Sequence, residues 1–178
     1  MRRAAAALDL AVADERDART EIIDYDADWP ARFSHEAGRL RAIVPALELQ
    51  HIGSTAVPGR AAKPIVDMMA AVDDLDAPRA ARTMVAGYQY PVAYNATLTR
   101  RRWLGFPSAS QRTHHLHLVA DPAEVAVHLR FRDALRADSG LTQEYATVKR
   151  ALAQRLADDR EGYSAAKTDF IERALAQS

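Results

Sequence analysis

The residues best suited to chemistry lie in one stretch, Gln50–Val72, with the sequence QHIGSTAVPGRAAKPIVDMMAAV. A short apolar run ends at the Gly53-Ser54 pair, and a loop of small residues leads to a second apolar run that contains Asp67. This pattern predicts strand, turn, loop and strand. An unpaired carboxylate inside an apolar run is costly to bury, so its presence there indicates a use. The polar side chains that we expect to converge at one end of the two strands are His51, Ser54, Lys63 and Asp67.

A later stretch, THHLHLVA at residues 113–120, alternates as a strand does and predicts His115 and His117 on one face with His114 on the other. Two imidazoles spaced two residues apart can meet one ligand or one metal ion, although half-buried sheet histidines give the same pattern. We expect Asp67, His115 and His117 to form a catalytic and metal-binding group. His51 is either a further acid/base group or a hydrogen-bonded core histidine.

The helices and strands that must position these residues are predicted from the spacing of apolar residues and from the Pro and Gly residues that end each element. They predict a mixed sheet flanked by helices, in the α+β (α/β-like) class, with a helical last third. The predicted strands are a short segment at residues 21–25 and then Ala46–Ile52, Ile65–Val72, Tyr88–Tyr94, Arg101–Phe106 and Thr113–Ala120. The predicted helices run from an Asp28 cap to Pro45, over Asp76–Ala86, from about Val125 to Ala137, and over Leu141–Ala157 and Gly162–Gln177.

Length and composition limit the class of protein. The 178 residues suit one domain at 21–178, preceded by a weakly ordered or helical extension at 1–20. Formal charge is +0 at pH 7, so no global field attracts nucleic acid or a membrane surface. The absence of cysteine excludes disulfides, thiolate nucleophiles and cysteine-ligated zinc. We expect a cytoplasmic domain that acts on a small molecule, and a homodimer is compatible with the sequence.

Several blocks together resemble the GrpB family, from about Ile22 to Phe170. They are HIGSTAVPG, AKPIVD, HLHLV, FRDALRAD, EYATVK and the Y-x-x-x-K of Tyr163–Lys167. The resemblance implies the nucleotidyltransferase fold superfamily, and related domains occur fused to dephospho-coenzyme A kinases. It also implies a mixed sheet of the nucleotidyltransferase type.

The superfamily motif is an apolar residue, Gly-Ser, a spacer and then Asp-x-Asp on the next strand. Ile52, Gly53, Ser54 and Asp67 match it, but Met69 stands where the second carboxylate is expected. The resemblance implies a nucleoside triphosphate as substrate and magnesium as cofactor. Met cannot ligate magnesium, and imidazole suits zinc, manganese, iron or nickel better, so another divalent metal is the alternative.

Phosphate binding is the role expected for a wider set of residues. Gly53 lets the backbone approach phosphate, hydroxyls and amides donate to its oxygens, and cations neutralise its charge. Ordinary turns, ion pairs and snorkelling lysines beside aromatic core anchors explain the same residues without a ligand. The set is Gly53, Ser54, Thr55, Lys63, Arg102, Arg132 and Lys149.

Three functions remain open from the sequence. The first is an enzyme that transfers a nucleotidyl or phosphoryl group from a nucleoside triphosphate to a small acceptor. The second is a diverged enzyme on the same fold that uses His/Asp acid–base or single-metal chemistry on a small metabolite. The third is a non-catalytic ligand-binding module.

Overall fold

The computed structural model describes residues 23–75, 86–89, 101–108, 112–155 and 169–176. These residues form an α+β fold around a four-stranded mixed sheet. The elements are helix α1 (Trp29–Ile43), strands β1 (Gln50–Ile52), β2 (Val66–Ala71), β3 (Arg101–Pro107) and β4 (Arg112–Val119), and helices α2 (Pro122–Ala137) and α3 (Ser139–Arg155).

The sheet has the strand order β1-β2-β4-β3. The outer pairs, β1 with β2 and β3 with β4, are antiparallel, whereas the central pair of β2 and β4 is parallel. The parallel register sets Asp67 opposite His115 and Met69 opposite His117. Since directly opposed residues project to the same face, this register decides which side chains can meet.

Helix α1 covers one face of the sheet and forms the main core with it. Pro30 stands in the first turn of the helix, where its missing N–H is harmless. Ala37 and Leu40 of α1 are buried against Met68 and Leu116 of the sheet. Asp28 precedes the helix as predicted, but its side chain makes no cap hydrogen bond. Burial of apolar side chains, rather than the cap, therefore fixes this helix to the sheet.

The opposite face of the sheet has a smaller apolar cluster. Ile52, Met69 and Val119 are buried there, and Val125 and Leu129 from the first half of α2 pack against them. Asp67, His115 and His117 share this face, because each is in register with another residue of it. We call it the site face.

The observed bounds differ from the predicted ones mainly at strand ends. The apolar run Ala46–Ile52 yields a strand only at Gln50–Ile52. In the predicted segment at residues 21–25, of which residues 23–25 are described, Ile23 forms an isolated bridge with Ala62. β4 begins one residue earlier than predicted and ends one residue earlier. The predicted extension at 1–20 and most of the predicted helix Asp76–Ala86 lie outside the described residues.

Contacts divide the described chain into two compact units, one ending at Leu129 and the other starting at Arg130. In the second unit the ring of Tyr145 stacks on Phe170 at 5.2 Å and meets Phe131 edge to face. Tyr145 and Phe170 are both buried, and residues 169–176 are helical. No helix in the described part of the chain has the length and apolarity needed to cross a bilayer.

Candidate functional site

Asp67, His115 and His117 meet on the site face. The Asp67 Oδ1 atom lies 2.9 Å from His115 Nδ1 and 3.7 Å from His117 Nε2. Among the described residues these three form the one His/Asp/Glu group whose donor atoms all lie within 4.8 Å of one another. The parallel pairing of β2 with β4 thus brings Asp67 to two histidines that lie about fifty positions later in the chain.

The cluster is held in a largely dry environment. His117 is 3% exposed and His115 is 9% exposed, while the Asp67 side chain keeps 26% of its surface. Burial alone would raise the pKa of Asp67, but the hydrogen bond from His115 and the nearby ring of His117 outweigh it and hold that pKa well below its usual value. Burial lowers the pKa of His117, and Asp67 offsets this only in part, so His117 is neutral near pH 7.

Gly53 places the backbone of the Gly-Ser turn directly against the carboxylate. Its φ is +74°, a conformation that L side chains rarely adopt. A Cβ atom added there would lie 2.5 Å from Asp67 Oδ2. A single-turn 3₁₀ helix, Ser54–Ala56, begins immediately afterwards. The turn therefore lies directly against the carboxylate.

The donor set suits one divalent transition metal ion better than two magnesium ions. It offers two imidazoles and a single carboxylate, and neutral imidazole is a ligand of zinc, iron and related metals. Met69 is fully buried in the apolar cluster beside Ile52, so its place in the motif supplies no oxygen. His115 Nε2 and His117 Nδ1 are buried without a hydrogen-bond partner in the described structure, and these nitrogens would carry the ring protons if a metal ion bound at His115 Nδ1 and His117 Nε2.

His51 is not placed where the acid–base prediction needs it. It is in register with Met68 and therefore projects to the α1 face of the sheet, away from Asp67. Its ring stacks on Phe33 of α1, with centroids 4.8 Å apart, and its Nε2 lies 3.1 Å from Thr55 Oγ1. The core-histidine alternative describes this geometry. Thr55 is 1% exposed and uses its hydroxyl in this contact, so only its backbone can serve the predicted phosphate role.

Arg102 also departs from its predicted position. It is opposite Leu118 in β4 and projects to the α1 face. The residues on either side of it, Arg101 and Trp103, take the site face instead. Arg101 is 4% exposed and pairs with Glu124 of α2. Sequence alternation groups Arg101 with Trp103, but only the strand register reveals that this pair shares the face of the histidines.

Lys63 lies near the site, as predicted for an anion-binding residue. Its pKa is lowered to about 8, first by burial and then by the positive charge of Arg112, with Asp67 acting in the opposite direction. Both charges are therefore close enough to Lys63 to be felt. Ser54 is partly exposed in the same turn as Gly53, where its hydroxyl can reach a ligand.

Arg132 and Lys149 belong to the second unit. Arg132 Nε donates to Asp133 at 2.8 Å, and Asp133 is 56% exposed, so this ion pair lies at the surface. The Lys149 ammonium lies 5.8 Å from the centre of the Tyr145 ring, as expected for a lysine over an aromatic residue. Their phosphate-binding role stays a prediction.

A model of the family described as GrpB protein matches residues 19–177. The chain belongs to the GrpB family. Its blocks around Gly53, Asp67 and the histidines are thus family sequence on a fold that positions them together.

Known proteins resemble this GrpB-family chain over most of its length. UPF0157 protein PA4798 of Pseudomonas aeruginosa is 35% identical over 167 residues, which cover 91% of the chain and 69% of that protein. The crystal structure of GrpB from Enterococcus faecalis superposes with a TM-score of 0.70 at 32% identity, covering 88% of the chain and 98% of that structure. A dephospho-CoA kinase of Mycolicibacterium paratuberculosis is 30% identical over 191 residues, and the match covers 90% of the chain but only 46% of the kinase.

Proposed function

We propose that this GrpB-family protein is an enzyme that transfers a phosphoryl or nucleotidyl group from a nucleoside triphosphate to a small acceptor, with one divalent transition metal ion bound by Asp67, His115 and His117. The observation that carries the proposal is the meeting of these three side chains beside the Gly53 turn. A metal ion bound there would polarise a phosphate oxygen and stabilise charge in the transition state.

The residues around the cluster have separate roles in this proposal. Asp67 is ionised near neutral pH and His117 is neutral, and these are the protonation states that metal ligands need. The backbone amides that follow Gly53 donate to phosphate oxygens, because no side chain at Gly53 blocks their approach. Lys63 supplies a positive charge within electrostatic range of Asp67.

The kinase relative supports a nucleotide-related substrate only indirectly. Its name describes a protein of which the matched region is less than half. The fold, in which a Gly-Ser turn abuts a strand carboxylate, is the stronger support, since that arrangement suits phosphate groups and a cation together.

The Asp67–His115 hydrogen bond favours a second candidate function. At 2.9 Å it orients the imidazole as a carboxylate does in a metal-free acid–base pair. In that case the enzyme would move a proton on a small polar metabolite and would need no metal ion.

Metal content and turnover test the proposal together. Purified protein is expected to retain about one zinc, manganese or iron ion per chain by elemental mass spectrometry, and to lose it in Asp67→Asn and His117→Ala. The matched control is His35→Ala, because His35 is an exposed histidine of α1. The four ribonucleoside triphosphates are tested separately as substrates. Any release of phosphate or pyrophosphate is expected to need both Asp67 and the metal.

Each other outcome has a definite meaning. Turnover that survives a chelator but disappears in Asp67→Asn and His115→Ala would establish the metal-free acid–base candidate. Full metal content in Asp67→Asn would show that the ion is bound elsewhere. If neither a bound metal nor any Asp67-dependent turnover is found, the protein is a ligand-binding module and the enzymatic proposal is wrong.

A further inference from the structure

A β-bulge changes the direction of Arg112 at the start of β4. Phe106 of β3 is in register with His114, but the next residue, Pro107, is in register with Arg112. Thr113 is therefore the extra residue, and the alternation of β4 is broken between it and Arg112. Plain alternation would put Arg112 on the α1 face with His114, whereas the observed register puts it on the site face with Gly105 and Trp103.

Contacts confirm this direction. The Arg112 guanidinium carbon lies 5.6 Å from the centre of the Trp103 ring, a cation–π geometry. The Trp103 ring in turn meets His115 edge to face, with centroids 5.0 Å apart. Gly105 leaves room for this stack, since a Cβ atom there would lie 3.2 Å from the Trp103 ring and 3.4 Å from Arg112 Cγ. Arg112 is thus linked to the metal-ligand cluster through a single aromatic ring.

Lys63 lies in the loop before β2, four residues before Asp67 in the chain. It is partly buried, and the positive charge of Arg112 is the second cause, after burial, of its lowered pKa. Two cations within electrostatic range of each other, both of them partly buried, repel each other in the free protein. The negative charge of Asp67 acts on Lys63 in the opposite direction, yet the pKa of Lys63 stays lowered. A bound anion would remove the repulsion.

We propose that Arg112 and Lys63 form an anion subsite next to the Asp67 cluster, and that it takes the terminal phosphates of a polyphosphate substrate. The inference rests on the proposed function in that it names a part of the same substrate. The planar guanidinium suits two phosphate oxygens at once and is oriented by Trp103, while the lysine contributes a compact positive charge. A polyphosphate has enough negative charge to meet both cations.

Anion binding without metal tests the subsite separately from the proposed function. The probes are inorganic pyrophosphate and inorganic phosphate, titrated calorimetrically into protein kept in chelator. Pyrophosphate is expected to bind the wild-type chain more tightly than phosphate. Arg112→Gln and Lys63→Gln are each expected to weaken pyrophosphate at least about tenfold, since hydrogen bonds to charged groups contribute about 1.5–3 kcal/mol each. Arg41→Gln, at an exposed arginine of α1, is expected to bind like wild type.

A direct signal comes from the lysines, because the chain has only three: Lys63, Lys149 and Lys167. After reductive methylation with labelled formaldehyde, the Lys63 dimethylamine NMR signal is expected to shift on addition of pyrophosphate while the other two stay in place. A folding defect in Arg112→Gln is detected by circular dichroism. Arg112→Lys keeps the charge and is expected to recover part of the affinity.

The results separate the two proposals. Unchanged pyrophosphate affinity in a folded Arg112→Gln variant overturns the subsite, as does a loss of affinity in Arg102→Gln but not in Arg112→Gln. Metal-dependent turnover with normal anion affinity in all variants would leave the proposed function standing without this subsite. Anion binding that needs Arg112 and Lys63 in a protein that holds no metal would leave the subsite standing and the metal proposal wrong.

Discussion

At the scale of single residues, Gly53 has the tightest constraint in the site. Its φ of +74° is nearly the same as that of Gly59, which is +73°. The two differ in surroundings, since a Cβ atom at Gly53 would collide with Asp67 Oδ2 whereas one at Gly59 would have nothing within 4 Å. The pair therefore contrasts a positive-φ glycine that lies against a carboxylate with one in open surroundings.

We predict that Gly53→Ala destabilises the fold more than Gly59→Ala does. Gly53 combines its positive φ with a ψ of −169°, a region that costs a residue other than glycine about 1–3 kcal/mol, and Gly59 also has a positive φ. Gly53→Ala must also displace Asp67 and is expected to weaken metal binding, while Gly59→Ala leaves it intact. Urea denaturation and a metal titration measure the two effects. Equal losses of stability, with metal affinity retained in both, would contradict the close approach.

At the scale of elements, His51 stabilises the turn after Gly53 although its side chain projects away from Asp67. Strand β1 has only three residues, and the 3₁₀ helix that follows has only one turn. The His51–Thr55 contact spans both elements, and the stacking of His51 on Phe33 ties them to α1. A buried side-chain pair thus stabilises a turn that is too short to be stable alone.

We predict that Thr55→Val, which keeps the shape of the side chain but removes the hydroxyl, destabilises the protein by about 1 kcal/mol. The amides of Ala56 and Val57, which donate to Gly53 and Ser54 carbonyls, are expected to exchange their hydrogens faster. The control is Thr147→Val, at an exposed threonine of α3, where the change is expected to stay within about 0.5 kcal/mol. Unaltered exchange at residues 56 and 57 would mean that His51 does not hold the turn.

At the scale of the whole molecule, one buried acid connects α1 to distant parts of the chain. Glu36 is 3% exposed and accepts hydrogen bonds from Arg39 at 2.6 and 2.9 Å and from the Tyr88 hydroxyl at 2.9 Å. Arg39 also donates to the Ala86 carbonyl at 2.6 Å and lies over the Phe106 ring of β3. Burial raises the pKa of Glu36, but these hydrogen bonds and the charge of Arg39 outweigh it, so its pKa is below the ordinary 4.5.

We predict that Glu36 contributes to the acid sensitivity of the fold. Because its pKa is depressed in the folded state, its contribution is fully present above about pH 4.5 and is lost as the pH falls through the folded-state value. Glu36→Gln is therefore expected to destabilise by about 1–3 kcal/mol near pH 7, with the difference from wild type shrinking below pH 4.5. Urea denaturation between pH 3 and 7 measures this. Glu48→Gln, at an exposed glutamate, is the control, and equal pH slopes for wild type and Glu36→Gln would contradict the prediction.

Much of the site could be predicted because its determinants are local. Alternation along a strand puts His115 and His117 on one face whatever the strand pairs with, and Gly53 can be identified because a turn before a small-residue loop favours glycine. Asp67 can be identified from local sequence too, because burying an unpaired carboxylate within an apolar run costs free energy. Family resemblance then supplied the fold, which the Enterococcus faecalis structure confirms.

What the sequence alone determined is therefore which residues share a strand face and where a turn must lie, since both depend on the geometry of a few consecutive residues. The tertiary structure decided which strands pair and in which register, because that depends on packing between segments far apart in the chain. The parallel register of β2 with β4 brings Asp67 to His115, and the antiparallel register of β1 turns His51 away. The Thr113 bulge brings Arg112 to the site face. No pattern in a few consecutive residues predicts these strand registers.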